Sequence, residues 1–325
     1  MEKNLNKMLA ERILEKVPSN IKPIEYLMGA LDLARESVYR RKRGELSFTF
    51  SEIVKLSKAL NFSIDEMIGK ESNDQVVFDI RNNALYNPEE TFMAMLREYL
   101  NLVRKNFEAR HVDIIITQNR VIPIYALKFK HLFKFFYYKW MHQGYQVPLN
   151  FYYADVVVPA EILVLKDRLI SYINQLSNYT FIIDPLTYKN TFDEILYYYQ
   201  RSLITKEELF ILKDDLLHLL KHTESLVQRG VSDLGATYQF YLSSLNIESN
   251  TIYAKYDDMV ESFLWLYYVN PINTNDKYMC ATHKRWLDSM RRCSSLITHS
   301  NEILQARFYS EQYKYLENSS KRILG

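Results

Sequence analysis

The sequence predicts a mainly α chain in two parts: a five-helix module over residues 1–70 and, after a linker at 71–87, an α+β part over 88–325 with an antiparallel sheet. Three observations predict this. Apolar stripes at helical spacing recur through the first seventy residues, separated by strong stop signals. From residue 112, short runs rich in β-branched and aromatic residues alternate with longer amphipathic stretches. These mix hairpins and helices without a strand–helix–strand rhythm, which favours antiparallel pairing.

In the first part, Leu9, Ile13, Leu14 and Val17 share one helical face, which Pro18-Ser19-Asn20 ends. Pro23 opens a second helix, since the missing proline N–H costs nothing in a first turn, and Ile24, Leu27, Met28 and Leu31 form its stripe. Leu33 follows in a turn, and a third helix over 35–43 stops at Gly44. Thr49-x-x-Glu52 and Ser63-x-x-Glu66 are capping-box patterns for a fourth helix through Leu60 and a short fifth ending at Gly69.

The linker is polar, with asparagine doublets and a closing Pro88; residues 76–80 could add a short strand. Beyond it, Phe92, Met95, Leu96, Tyr99, Leu102 and Val103 predict a helix, and residues 112–117 (VDIIIT) a strand. Residues 128–142 form an aromatic helix candidate, though their Phe/Tyr density also suits a strand. Strands are expected at 151–158 and 179–184, with a helix over 160–176 between them. Thr191-x-x-Glu194 and Thr205-x-x-Glu208 cap two further helices. Residues 251–256 and 260–269 read as a hairpin around Asp257-Asp258, and helices at about 276–293 and 301–316 close the chain. Leu209, Leu212, Leu216, Leu219, Thr223 and Leu226 step by three and four, a heptad-like seam that fits internal packing or pairing with a second chain.

Residues 8–69 resemble the five-helix repressors of the lambda-repressor/Cro (XRE-like) class. Leu27-Met28, Leu31, Leu33, Val38 and Gly44 fall without a gap on that family's helix-turn-helix core positions, and residues 53–69 (IVKLSKALNFSIDEMIG) are similar to its fourth and fifth helices. Three positions depart from the pattern. Asp32 stands where the turn commonly has glycine, Ala34 where a Ser or Thr cap is common, and Lys42 where glutamate is frequent.

The resemblance implies double-stranded DNA as partner, with the third helix in the major groove. Arg35, Glu36, Ser37, Tyr39 and Arg40 are then candidate base contacts, and Arg41, Lys42 and Arg43 candidate phosphate contacts. Charge agrees with this. Residues 1–70 hold 13 Lys/Arg and 10 Asp/Glu, a balance of +3, while the whole chain carries +2. The entire basic excess therefore sits at the N-terminus.

Other chemistry leaves little trace. The chain is 48% hydrophobic and 25% charged with 7 Gly and 8 Pro, which excludes a disordered or collagen-like polymer. Its two cysteines, Cys280 and Cys293, form no CxxC pair and suit a reducing cytoplasm. Charges interrupt the N-terminal stretch where a signal peptide needs an apolar run, and no segment is apolar enough for a membrane span. Asp214, His218 and His222 recur every four residues, but no HExxH motif accompanies them, and a solvated helix face explains them as well as a metal does. Cys280 and His283 lie three apart on a helix, weak spacing for a nucleophile and base. No Gly-rich phosphate loop and no GxSxG elbow occur. No catalytic residue, metal or cofactor is assigned.

Aromatic residues make up 14% of the chain, with 26 Tyr, 17 Phe and 3 Trp. They suit a core or interface, and also a cavity for a small-molecule or peptide effector. The expected function is a cytoplasmic, bacterial-type, sequence-specific transcriptional regulator, homodimeric, with a C-terminal dimerisation or sensing module. The alternative is a helix-turn-helix protein that binds a protein partner or tethers to nucleoid DNA without sequence choice.

Overall fold

The computed structural model describes residues 2–17, 21–60, 62, 76, 78, 87–144, 147–173, 178–265 and 271–324. Two compact units divide the chain, Met1–Val77 and Phe78–Gly325. The boundary falls inside the expected linker.

The smaller unit contains α1 (Glu2–Glu15), α2 (Pro23–Leu31), α3 (Arg35–Lys42) and α4 (Phe50–Leu60). The fifth helix expected at 63–69 lies outside the described residues. Ala10, Ile13, Leu27, Leu31, Val38, Phe48, Leu56 and Phe62 form one buried cluster, drawing on every described helix. Pro23 stands in the first turn of α2, and Asp32 caps its end at φ 54°, ψ 50°, in the left-handed region. Aspartate tolerates that conformation better than most residues, so the turn forms without glycine. Ala34 occupies the α3 N-cap position and provides no side-chain hydrogen bond. The α4 box is complete: Thr49 N donates to Glu52 Oε2 at 2.8 Å and Glu52 N to Thr49 Oγ1 at 3.3 Å.

The larger unit comprises α5 (Pro88–Glu108), β1 (Val112–Gln118), α6 (Pro123–Ala126), α7 (Lys130–Gly144), α8 (Ala160–Ile173), β2 (Tyr179–Ile183), α9 (Thr187–Gln200) and α10 (Lys206–Arg229). It continues with β3 (Tyr238–Ser243), β4 (Thr251–Tyr256), β5 (Met259–Trp265), β6 (Pro271–Thr274), α11 (Lys277–Arg292), β7 (Ser294–Leu296) and α12 (Glu302–Leu324). The strands form one sheet in the order β6-β5-β4-β1-β2-β3-β7. β1, β2 and β3 run parallel, and every other pairing is antiparallel.

The expected antiparallel sheet is thus corrected to a mixed one. α6, α7 and α8 carry the chain from β1 to β2, and α9 and α10 from β2 to β3, connections long enough to bring each strand back in the same direction. The hairpin at Asp257-Asp258 forms as expected, with Asp257 at φ 50°. Residues 151–158, expected as a strand, form no strand and contain a turn at 153–155.

Both faces of the central strands are buried. Ile114, Ile116, Phe181 and Ile183 join the main core, while Ile115 and Ile182 face a second cluster with Cys280, Leu287 and Met290 of α11. That explains the unbroken apolar run of β1. The aromatic residues are largely spent here. Register partners Tyr179 and Tyr238 stack with centroids 5.8 Å apart, and Phe181 and Phe240 at 4.8 Å. On α7, Phe135 and Tyr138 meet Tyr198 edge-on at 5.7 and 5.2 Å. Leu209, Leu212, Leu216, Leu219 and Leu226 of the α10 seam are all buried in this same core. Among the described residues, no helix is long and apolar enough to cross a membrane.

Candidate nucleic-acid interface

α3 follows α2 across the Asp32 turn, and Val38 ties it to the core of the smaller unit. Val38 and Arg41 are the buried residues of this two-turn helix, and the rest of it faces water or is half-buried. Arg35, Glu36, Arg40, Lys42 and Arg43 are exposed, and Ser37 and Tyr39 half-buried. The Arg35 guanidinium lies 5.9 Å from the centre of the Tyr39 ring, within cation–π range.

Acidic neighbours temper the basic cluster. Arg43 donates to Glu45 at 2.7 Å and to Glu36 at 3.0 Å. These carboxylates, Glu45 foremost, hold its pKa above the usual guanidinium range. Arg40 stands 4.0 Å from Glu45. Four exposed cations, Arg35, Arg40, Lys42 and Arg43, thus face two acids, Glu36 and Glu45.

Arg41 departs from its expected part as a phosphate contact. It is buried at 6% exposure and turned toward α4. Its Nη2 and Nε donate to the two Glu52 oxygens at 2.8 and 3.2 Å, and Nη1 donates to the Ser37 hydroxyl at 2.8 Å. The Phe48 ring lies 5.8 Å from the guanidinium. All three nitrogens are engaged within the protein, so Arg41 braces α3 against α4. Sequence reasoning missed Glu52 in this role. Its capping signal was visible, but the same carboxylate also closes the pair with Arg41, through a contact eleven positions apart.

Asp214 and His218 pair at 3.4 Å, and among the described residues no group of three His, Cys, Asp or Glu could hold a metal. Cys280 is buried with its Sγ 3.5 Å from Thr274 O, while the His283 ring nitrogens bond Ser262 and Thr251. Among the described residues, one apolar cavity of about 60 Å³ lies between the sheet and α6, α8 and α10, another of about 50 Å³ between the sheet and α5, α6 and α8, and an open polar cleft between α5 and β5 holds about 270 Å³. Ligand pockets run to roughly 300 Å³ or more. At the carboxyl ends of the parallel strands, where open sheets often hold ligands, the loop at 244–250 fills the crevice. Asn119 donates to the Ile247 and Glu248 carbonyls at 2.9 Å each, and Ile247 N donates to Asp184 at 2.9 Å.

No protein-family model matches the chain, and no curated protein or solved structure aligns with it.

Proposed function

We propose that the chain is a sequence-specific DNA-binding transcriptional regulator of the cytoplasm. The observation that carries the reading is the placement of α3, anchored inward by Val38 and Arg41 while Arg35, Glu36, Arg40 and Lys42 stand outward along one exposed helix. A helix so presented fits the major groove, its N-terminal residues at base edges and its basic end beside phosphates. The larger unit would assemble two such heads on two half-sites. The apolar cavities beneath the sheet, about 60 and 50 Å³, are small for an effector, while the open polar cleft between α5 and β5 holds about 270 Å³.

A specific observation favours the second reading, a protein-binding helix-turn-helix. Glu36 and Glu45 draw charge from the surface that DNA would meet. One experiment separates the two: selection of bound duplexes from a random pool by the full chain, followed by titration of the selected duplex at several salt concentrations. Lys42→Ala should weaken binding to all duplexes and flatten the salt slope by about one unit per head. Arg40→Ala should instead change the preferred sequence, at about 1–3 kcal/mol for a good base contact. Failure to enrich any sequence would leave the protein-partner reading.

A further inference from the structure

We propose that Ser37 reads a hydrogen-bond acceptor on a base edge, because the Glu52–Arg41 pair occupies one lone pair of its hydroxyl and biases that hydroxyl toward donating. The inference rests on the DNA-reading proposal and specifies one position within it.

A serine hydroxyl normally both donates and accepts, and its rotor settles either way, so it discriminates poorly between bases. Here the rotor is constrained. Arg41 Nη1 donates to Ser37 Oγ at 2.8 Å and to the Ser37 carbonyl at 3.3 Å. A guanidinium has donors only and does not lose its proton in a protein, so Ser37 cannot donate back to it. The Ser37 hydrogen is donated to no described residue.

Arg41 is itself fixed. Two bonds to Glu52 hold it, and Thr49 N holds Glu52 Oε2 at 2.8 Å. The relay runs from the α4 cap through a buried ion pair to the first turn of α3. That turn is the stretch a helix-turn-helix brings closest to base edges. An oxygen already accepting from a cation is a weaker second acceptor and a stronger donor, since hydrogen bonds in series polarise one another.

The chemistry of the groove then narrows the partner. Guanine offers N7 and O6, adenine N7 and thymine O4 as major-groove acceptors, whereas cytosine presents the N4 amino donor. Ser37 should therefore favour a purine or thymine over cytosine. Ser37 is the reading residue in this proposal. Glu52 and Arg41 position it.

The test uses the full chain and duplexes selected by the wild type. Ser37→Ala should lower the preference at one base pair of each half-site about three- to tenfold, the worth of one hydrogen bond, with the salt slope unchanged. Ser37→Thr, which keeps the hydroxyl, should restore it. If the partner is a purine read at N7, a 7-deaza base there should weaken the wild type by the same factor and leave Ser37→Ala unaffected. If it is thymine, its replacement by cytosine should act in that way. Glu52→Gln should broaden preference at that same pair, with thermal melting recorded alongside to separate lost positioning from unfolding. The inference is overturned if the base that Ser37 contacts is a cytosine read at its N4 amino group, or if Ser37→Ala selects the wild-type site with undiminished preference. If the wild type selects no sequence, the DNA-reading proposal itself fails.

Discussion

Single buried side chains of the larger unit decide how its stability responds to pH. His283 of α11 is buried against the sheet, its ring nitrogens 2.9 Å from Ser262 Oγ of β5 and 3.0 Å from Thr251 Oγ1 of β4. Burial pulls its pKa from the ordinary 6.5 down to about 4. The folded chain thus prefers the neutral ring, while the unfolded chain takes up a proton near pH 6.5. The stabilisation is complete above that value and declines as pH falls from 6.5 toward 4, by about 3 kcal/mol in all. Urea unfolding of wild type and His283→Gln across that range should show the difference between them shrinking as the solution is acidified; parallel profiles would contradict the assignment. Lys139 is the other buried titratable group of note. Glu194 accepts from both Lys139 and Arg120, yet burial still draws the lysine pKa down to about 7.

At the scale of elements, α10 shows what a sequence pattern specifies and what it leaves open. A capping box at Thr205 and Glu208 starts it, Gly230 at φ 64° ends it, and the leucine seam between them lies inside the unit's own core. Leu216 is fully buried, so Leu216→Ala should cost about 2–5 kcal/mol. The double change of Leu216 and Leu219 to Lys should abolish the cooperative transition seen by circular dichroism. A soluble, folded monomer from that variant would instead place the seam between chains. The helix is legible in the sequence, but its partner is not, because a 3–4 spacing describes any buried stripe. Similar reasons explain the other differences. Residues 151–158 have the composition of a strand, yet Phe151 stacks on Tyr138 at 5.5 Å and the Tyr153 hydroxyl donates to His131 O, so side chains anchor the segment without a ladder. β7 has three residues, too few for alternation to register. In the candidate interface, α3 and its exposed cations are legible from local spacing, whereas the burial of Arg41 depends on Glu52 in the next helix.

The whole molecule joins a mixed sheet and a small helical head with separate cores, and strand neighbours are the part least visible in sequence. Periodicity identifies β1 and β2, but their parallel pairing across sixty intervening residues follows from where three helices fit against the sheet. Assembly is a property of this scale too. With Arg41 engaged inside the head, the proposed DNA reading leaves exposed Lys42, and Arg43 with its Glu45 and Glu36 partners, as the candidate phosphate contacts at the end of α3. Two phosphates neutralised by one head give a salt slope of about −2, and two heads on adjacent half-sites about −4. The smaller value corresponds to weak, salt-sensitive binding, which is why helix-turn-helix proteins in general work in pairs on half-sites about 34 Å apart. The seam of α10 is not available for pairing, so a homodimer must use another surface of the larger unit. Sedimentation at micromolar concentration should show two chains, a footprint on the selected duplex should cover two half-sites one helical turn apart, and the salt slope should approach −4. A single chain in solution and on DNA, with a slope near −2, would remove the dimer and leave one head acting alone.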